Sequence, residues 1–311
     1  MTVIVLLASI ILISGCTNNE SAPDIYTSIY PIEFITKEIV CDRLVVKSIY
    51  PRGKDVHDYE STPKDVLKMA NSKLIFYIGL GLEPIIENSK SSSLKNVPTV
   101  ALSDNLELVE LNGDHVHDHG DNHDDDMFYD PHIWLDPEKM QRMAQSVLNN
   151  IIYHFNPSQE DIDFFTNNTD ILIDKLNKLD EEFFEVVNES SILNKTIIVD
   201  HDAYAYWEIR YGIKRIRLRN DNESTDIILK EMQEKINLAK ELKIKYICTT
   251  KNEMESSIIN QYLSELNLTS DAKVQLHHLA TITSEEEKAG NDYFSLMRDN
   301  LDILRKVFPK Q

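Results

Sequence analysis

Cysteine, positive charge and long apolar runs are all scarce in this chain of 311 residues. Cysteine occurs three times, at Cys16, Cys41 and Cys248, too few for a disulfide framework to stand in for a hydrophobic core. Lysine and arginine together number 32 against 52 acidic residues, and the formal charge of −20 argues against nucleic acid or any other polyanion as a partner. The apolar run at residues 3–13, VIVLLASIILI, has eleven residues, whereas a helix needs about 20 to cross a bilayer. No internal repeat stands out. What remains is a chain with 42% hydrophobic residues, enough for two ordinary lobes with sizeable cores.

The short apolar run reads as the core of a signal peptide covering residues 1–15, although no Lys or Arg precedes it. It ends in ISGC, small residues before a cysteine, followed by the polar stretch TNNESAP. That arrangement resembles a lipobox, in which Cys16 becomes a lipidated N-terminus and residues 16–23 a tether. The expected location is the outer face of the cytoplasmic membrane, with acyl chains as the anchor. Cys41 and Cys248 then remain, either as a pair or as two buried thiols; the sequence leaves both open.

From residue 25 onward apolar strands alternate with helical segments, the pattern of an α/β fold with mainly parallel strands. DIYTSIYP (24–31), LVVKSIYP (44–51) and KLIFYIG (73–79) read as strands of a first lobe, residues 24–156. Helices are expected at IEFITKEIV, from Pro63 after a Thr62 cap, and over 135–155, where Asp136 caps and Pro137 opens the helix. Residues 158–188 form a long helical pattern without Gly or Pro, expected to be a rigid linking helix within residues 157–190. A second lobe, residues 191–311, is expected to place strands at 195–201, 245–250 and 273–278, with helices near 202–211, 226–242, 253–266 and 291–307.

The histidines separate by position. His57 lies in a loop leaving a strand, His201 ends TIIVDH, and His277 ends VQLH with His278 expected on the opposite face of that strand. His132 sits in YDPHIWLDP, between prolines. Ligands of open α/β sheets bind beyond the carboxyl ends of the strands, so these histidines can converge on one ion in an inter-lobe cleft. Three or four imidazoles suit zinc, at about 2.0–2.1 Å in tetrahedral geometry, better than manganese, which asks for more oxygen. The stretch HVHDHGDNHDDD is different. His115, His117, His119 and His123 lie in a tract (112–126) with no apolar periodicity, either an auxiliary low-affinity metal loop or a solvated insertion. HVHDH also falls one residue short of a metallo-hydrolase His-x-His-x-Asp-His motif and follows no strand, so that reading is rejected.

These segments together resemble the zinc/manganese family of solute-binding proteins that feed ABC importers, known as cluster A-I. IYPIEFITKEI looks like the family's opening strand and helix; PRGKDVHDYESTPKDVLKMANSKLIFYIGLGLEP, DPHIWLDP and VDHDAYAYWEIRYGI look like the segments carrying its first three ligands. The resemblance implies two α/β lobes joined by one long helix, with metal held by His57, His132 and His201. Histidine rather than carboxylate at the third position looks like the zinc branch. At the fourth position, where the family often has aspartate, VQLHHLA places His277, with His278 or water as the open alternatives. The His/Asp-rich loop also resembles an insertion common in zinc-binding members.

The expected function is therefore capture of zinc, with manganese the alternative cargo, by a monomer that hands the ion to a cognate membrane permease and performs no chemistry on it. Small closure is expected, because one long helix is a stiff connection. Binding should weaken below about pH 6, where imidazole protonates. The rival from another class is a zinc-dependent hydrolase with Glu60 or Asp202 as general base. An adhesin role, a label given to surface lipoproteins of this kind, finds no binding patch in the sequence.

Overall fold

Proline and short apolar runs set where this chain changes from strand to helix. The computed structural model describes residues 22–54, 56, 59–110, 129–218 and 225–311. Its first lobe contains β1 (Ile25–Thr27), α1 (Tyr30–Val40), β2 (Val46–Ser48), α2 (Pro63–Met69), β3 (Leu74–Tyr77), α3 (Pro84–Ser89), β4 (Thr99–Ala101) and α4 (Pro137–Phe155). The spine is α5 (Gln159–Val187). The second lobe contains β5 (Thr196–Val199), α6 (Ala205–Tyr211), β6 (Lys214–Arg217), α7 (Thr225–Glu241), β7 (Ile247–Thr250), α8 (Ile258–Glu265), β8 (Lys273–Leu276), α9 (Ser284–Lys288) and α10 (Tyr293–Val307).

Each lobe carries a four-stranded parallel sheet, ordered β2-β1-β3-β4 in the first and β6-β5-β7-β8 in the second. Parallel pairing demands crossovers, which the intervening helices and loops provide. β1, β3, β5 and β7 are buried along their whole length, as expected of central strands covered on both faces. The strands are shorter than the sequence suggests. Tyr30 already begins α1, because Pro31 stands in its first turn and fixes a helical φ.

The helix termini follow their side chains. Asp136 accepts a hydrogen bond from the Glu138 amide at 2.9 Å and caps α4, which ends at Asn156 in the left-handed conformation. Ser158 caps α5 through the Asp161 amide. Phe165, Thr169, Leu172, Leu176, Leu179 and Phe183 recur every three or four residues and form the buried stripe of α5. That stripe packs on α1 and α4 of one lobe and on α6 and α10 of the other, so a single apolar cluster runs through both.

Backbone contacts also staple the lobes. Past β8, the carbonyls of Ala280 and Ile282 accept from the amides of Tyr30 and Gly53 at 3.1 and 2.9 Å, and Thr281 Oγ1 also accepts from Gly53. Gly53 makes this approach with φ +71°, a conformation that favours glycine. Beside it, Arg52 ion-pairs with Glu33 of α1 and Glu287 of α9. Among the described residues no helix is long and apolar enough to cross a membrane. Cys41 is exposed and Cys248 buried, and both are free thiols. Burial pushes the Cys248 thiol up to about 12.

Candidate metal centre

The segment from Asp130 to Pro137 is held along its length. The Asp130 amide donates to the Val109 carbonyl and the Asp130 carbonyl accepts from Tyr206 Oη at 2.7 Å. Ile133–Leu135 then form one 3₁₀ turn. Trp134 Nε1 donates to the His278 carbonyl at 2.7 Å, Tyr293 Oη donates to the Trp134 carbonyl at 2.8 Å, and Trp207 Nε1 donates to the Leu135 carbonyl at 2.8 Å. Indole and phenol donors from the second lobe therefore fix the backbone on which His132 stands.

Asp130 is 1% exposed and sits two residues before His132. One of its oxygens lies 2.8 Å from the His132 amide and 2.7 Å from His132 Nδ1. An ionised carboxylate only accepts, so Nδ1 carries the hydrogen and Nε2 presents its lone pair. His201, just beyond β5, is arranged alike: its Nδ1 lies 3.3 Å from Glu253 Oε2. The two Nε2 atoms face each other at 3.4 Å, with the rings nearly perpendicular at 85°. Two lone pairs so placed repel unless a proton or a cation lies between them. Nitrogens bound at about 2.0–2.1 Å on adjacent corners of a zinc tetrahedron lie about 3.3 Å apart, which matches the observed gap. Carboxylates on the outer nitrogens are the usual support of metal-ligating histidines.

Among the described residues no three His, Cys, Asp or Glu side chains already form a metal-binding group. Of the sequence-assigned ligands, the structure brings His132 and His201 together, while His57 lies outside the described residues. So do Cys16 and the loop histidines His115, His117, His119 and His123.

His277 does not join the pair. β8 ends at Leu276, so strand alternation does not govern the next two residues. The His277 backbone is clamped by Asn300, whose Oδ1 accepts from its amide at 2.7 Å and whose Nδ2 donates to its carbonyl at 2.8 Å. His277 Nδ1 accepts from the Leu279 amide at 2.9 Å. Its hydrogen therefore sits on Nε2, which faces Glu286 Oε1 at 3.5 Å. That contact, helped by the Thr283 amide and Lys251, holds the Glu286 carboxyl well below the usual range.

His278 is the member of the adjacent pair that reaches His201. Their rings stack at 5.7 Å with 10° between planes. Full burial pushes the His278 imidazole well below its ordinary value, against the opposing pull of Glu253, and so keeps it neutral. Asp130 and Glu253 carried no assigned role in the sequence reading. For Asp130 a signal existed: a carboxylate two residues from a histidine in a proline-fixed segment. Glu253 lies in KNEMESS, where nothing distinguishes it from Glu255.

Two parallel sheets on a shared spine, with histidines from both lobes meeting at their carboxyl ends, define a two-lobed α/β binding protein. The chain belongs to the ZnuA family, described as zinc-uptake complex component A, periplasmic, whose profile matches residues 25–307. It is similar to the zinc-binding lipoprotein AdcA of Streptococcus pneumoniae, with 25% identity over 97% of this chain and 60% of that protein. It thus spans about three fifths of AdcA's length. It is also similar to the manganese ABC transporter substrate-binding lipoprotein PsaA of Streptococcus anginosus, with 27% identity over 99% of this chain and 98% of that one. Among solved structures, Zn(II)-bound AdcA from Streptococcus pneumoniae superposes with a TM-score of 0.74 at 22% identity, covering 92% of this chain and 58% of that one. The metal-dependent lipoprotein YcdH from Bacillus subtilis gives 0.73 at 25% identity, covering 91% and 98%.

Proposed function

We propose that this protein captures zinc outside the cytoplasmic membrane, tethered through Cys16, and delivers it to the permease of an ABC importer. The observation that carries the reading is the pair of Nε2 atoms 3.4 Å apart, each imidazole backed by a carboxylate on Nδ1. His132 comes from the first lobe and His201 from the second, so one ion ties the lobes together; His57 is the third donor in this reading. His277 is left out of the ligand set in this reading, because its Nδ1 accepts from the Leu279 amide and its Nε2 is turned to Glu286 Oε1 at 3.5 Å. Membership of the ZnuA family and the relatives named zinc-binding support the cargo class.

Zinc is favoured over manganese because the donors are imidazoles, and manganese prefers a larger share of oxygen. The relation to PsaA keeps manganese as the second reading. A hydrolase would need a free general base beside the ion. Asp202 is instead held in ion pairs with Arg215 and Arg217, and Glu60 is exposed. The test is a competitive titration of the chain from Thr17 onward with zinc and manganese. One equivalent of zinc displacing bound manganese is expected, and stoichiometric preference for manganese would overturn the zinc assignment.

A further inference from the structure

Glu253 stands in a loop that both neighbours tie down. On one side Asn252, with φ +68°, places Nδ2 3.2 Å from both Glu286 oxygens. On the other the Ser256 amide donates to Asp200 Oδ2 at 3.2 Å. Between these anchors the Glu253 carboxylate meets two parallel imidazoles at once. Oε2 lies 3.3 Å from His201 Nδ1 and Oε1 lies 3.2 Å from His278 Nε2. The tautomer of His278 follows from its other nitrogen: Nδ1 is 3.2 Å from the Ala280 amide, which can only donate. The His278 hydrogen is therefore on Nε2, the atom that stands 3.2 Å from Glu253 Oε1 in a contact short of a hydrogen bond.

From this geometry we infer that Glu253 is a positioning residue for metal capture, a clip that fixes His201 in the tautomer whose Nε2 lone pair is turned toward His132, and that His278 packs against the clip without ligating the ion. The inference rests on the reading of His132 and His201 as ligands. A neutral imidazole has one lone-pair nitrogen, and the Ala280 amide has taken that of His278. The buried ring still matters, because it stacks flat on His201 at 5.7 Å and stands 3.2 Å from one oxygen of the carboxylate whose other oxygen serves His201. Removing an outer partner of this kind typically weakens metal affinity about 10- to 100-fold.

The test uses the chain from Thr17 onward with three substitutions: Glu253→Ala, Glu253→Gln and His278→Ala. Zinc affinity is read by chelator competition, the histidine tautomers of the metal-free protein by nitrogen NMR, and the number of bound imidazoles by zinc X-ray absorption. Glu253→Ala should weaken zinc binding by about 10- to 100-fold and mix the His201 tautomers, leaving the number of bound imidazoles unchanged. Glu253→Gln, which is isosteric but offers one acceptor instead of two, should lie between it and the parent. An unchanged affinity and His201 signal in Glu253→Ala overturns the proposal, as does loss of one bound imidazole in His278→Ala, which would make His278 a ligand. His132→Ala serves as the separate check on the underlying site: parental affinity there would refute the ligand assignment itself, whatever Glu253 does.

Discussion

His132 and His277 are both buried, both paired with a carboxylate, and both sit beyond the ordered elements of their lobes, yet only one presents a lone pair to the cleft. At His132 the carboxylate of Asp130 occupies Nδ1 and turns the Nε2 lone pair toward His201. At His277 a backbone amide occupies Nδ1, which sends the hydrogen to Nε2, on the side of Glu286 3.5 Å away. The same two side-chain types thus give a metal donor in one place and a structural tie in the other. The nitrogen claimed by the local backbone decides which.

Several substitutions would break or sharpen this contrast. The largest effect is expected from His201→Ala or His132→Ala, each removing half of the facing pair; zinc affinity by chelator competition should fall more than the roughly 100-fold ceiling for outer-shell losses. Asp130→Ala comes next, about 10- to 100-fold, because the ring keeps its nitrogen but loses its fixed tautomer. His277→Ala should leave zinc affinity unchanged while lowering the melting temperature, since Glu286 loses its buried N–H partner. An affinity loss there matching His132→Ala would erase the distinction.

The smallest effect concerns acid. The Glu286 carboxyl, held down first by His277, has a folded value below its ordinary 4.5. A depressed carboxylate contributes stability that is present above the unfolded value and is lost as pH falls through the folded one. The melting temperature should therefore drop less between pH 5 and pH 3 in Glu286→Gln than in the parent, and equal slopes would remove Glu286 from the acid response.

The central strands, the long spine and the capped α4 were legible because each leaves a local mark: apolar runs stopped by proline, an unbroken helical period, an aspartate before a proline. Two of the four edge strands, β4 and β6, were not. β4 has three residues, none fully buried, and β6 reads KRIR, with one buried position among charges. Neither carries the apolar run that marks a strand, because an edge is only partly covered. In the site, His132 could be singled out by its prolines and His201 by its strand end. The choice between His277 and His278 could not be made, because it depends on hydrogen bonds to Asn300, Leu279 and Ala280 formed after the chain has left β8. Glu253 was invisible for the same reason: its partners lie 52 and 25 residues away along the chain.

The apolar cluster that runs from Ile25 in the first sheet to Phe308 near the C-terminus, through the buried stripe of α5, is shared by the two lobes, while each lobe also keeps a smaller cluster of its own. The shared cluster is the largest of the three and couples the unfolding of the lobes. Calorimetry should record a single heat-absorption peak, and an ion bound by the folded form alone should shift that whole peak upward rather than split it.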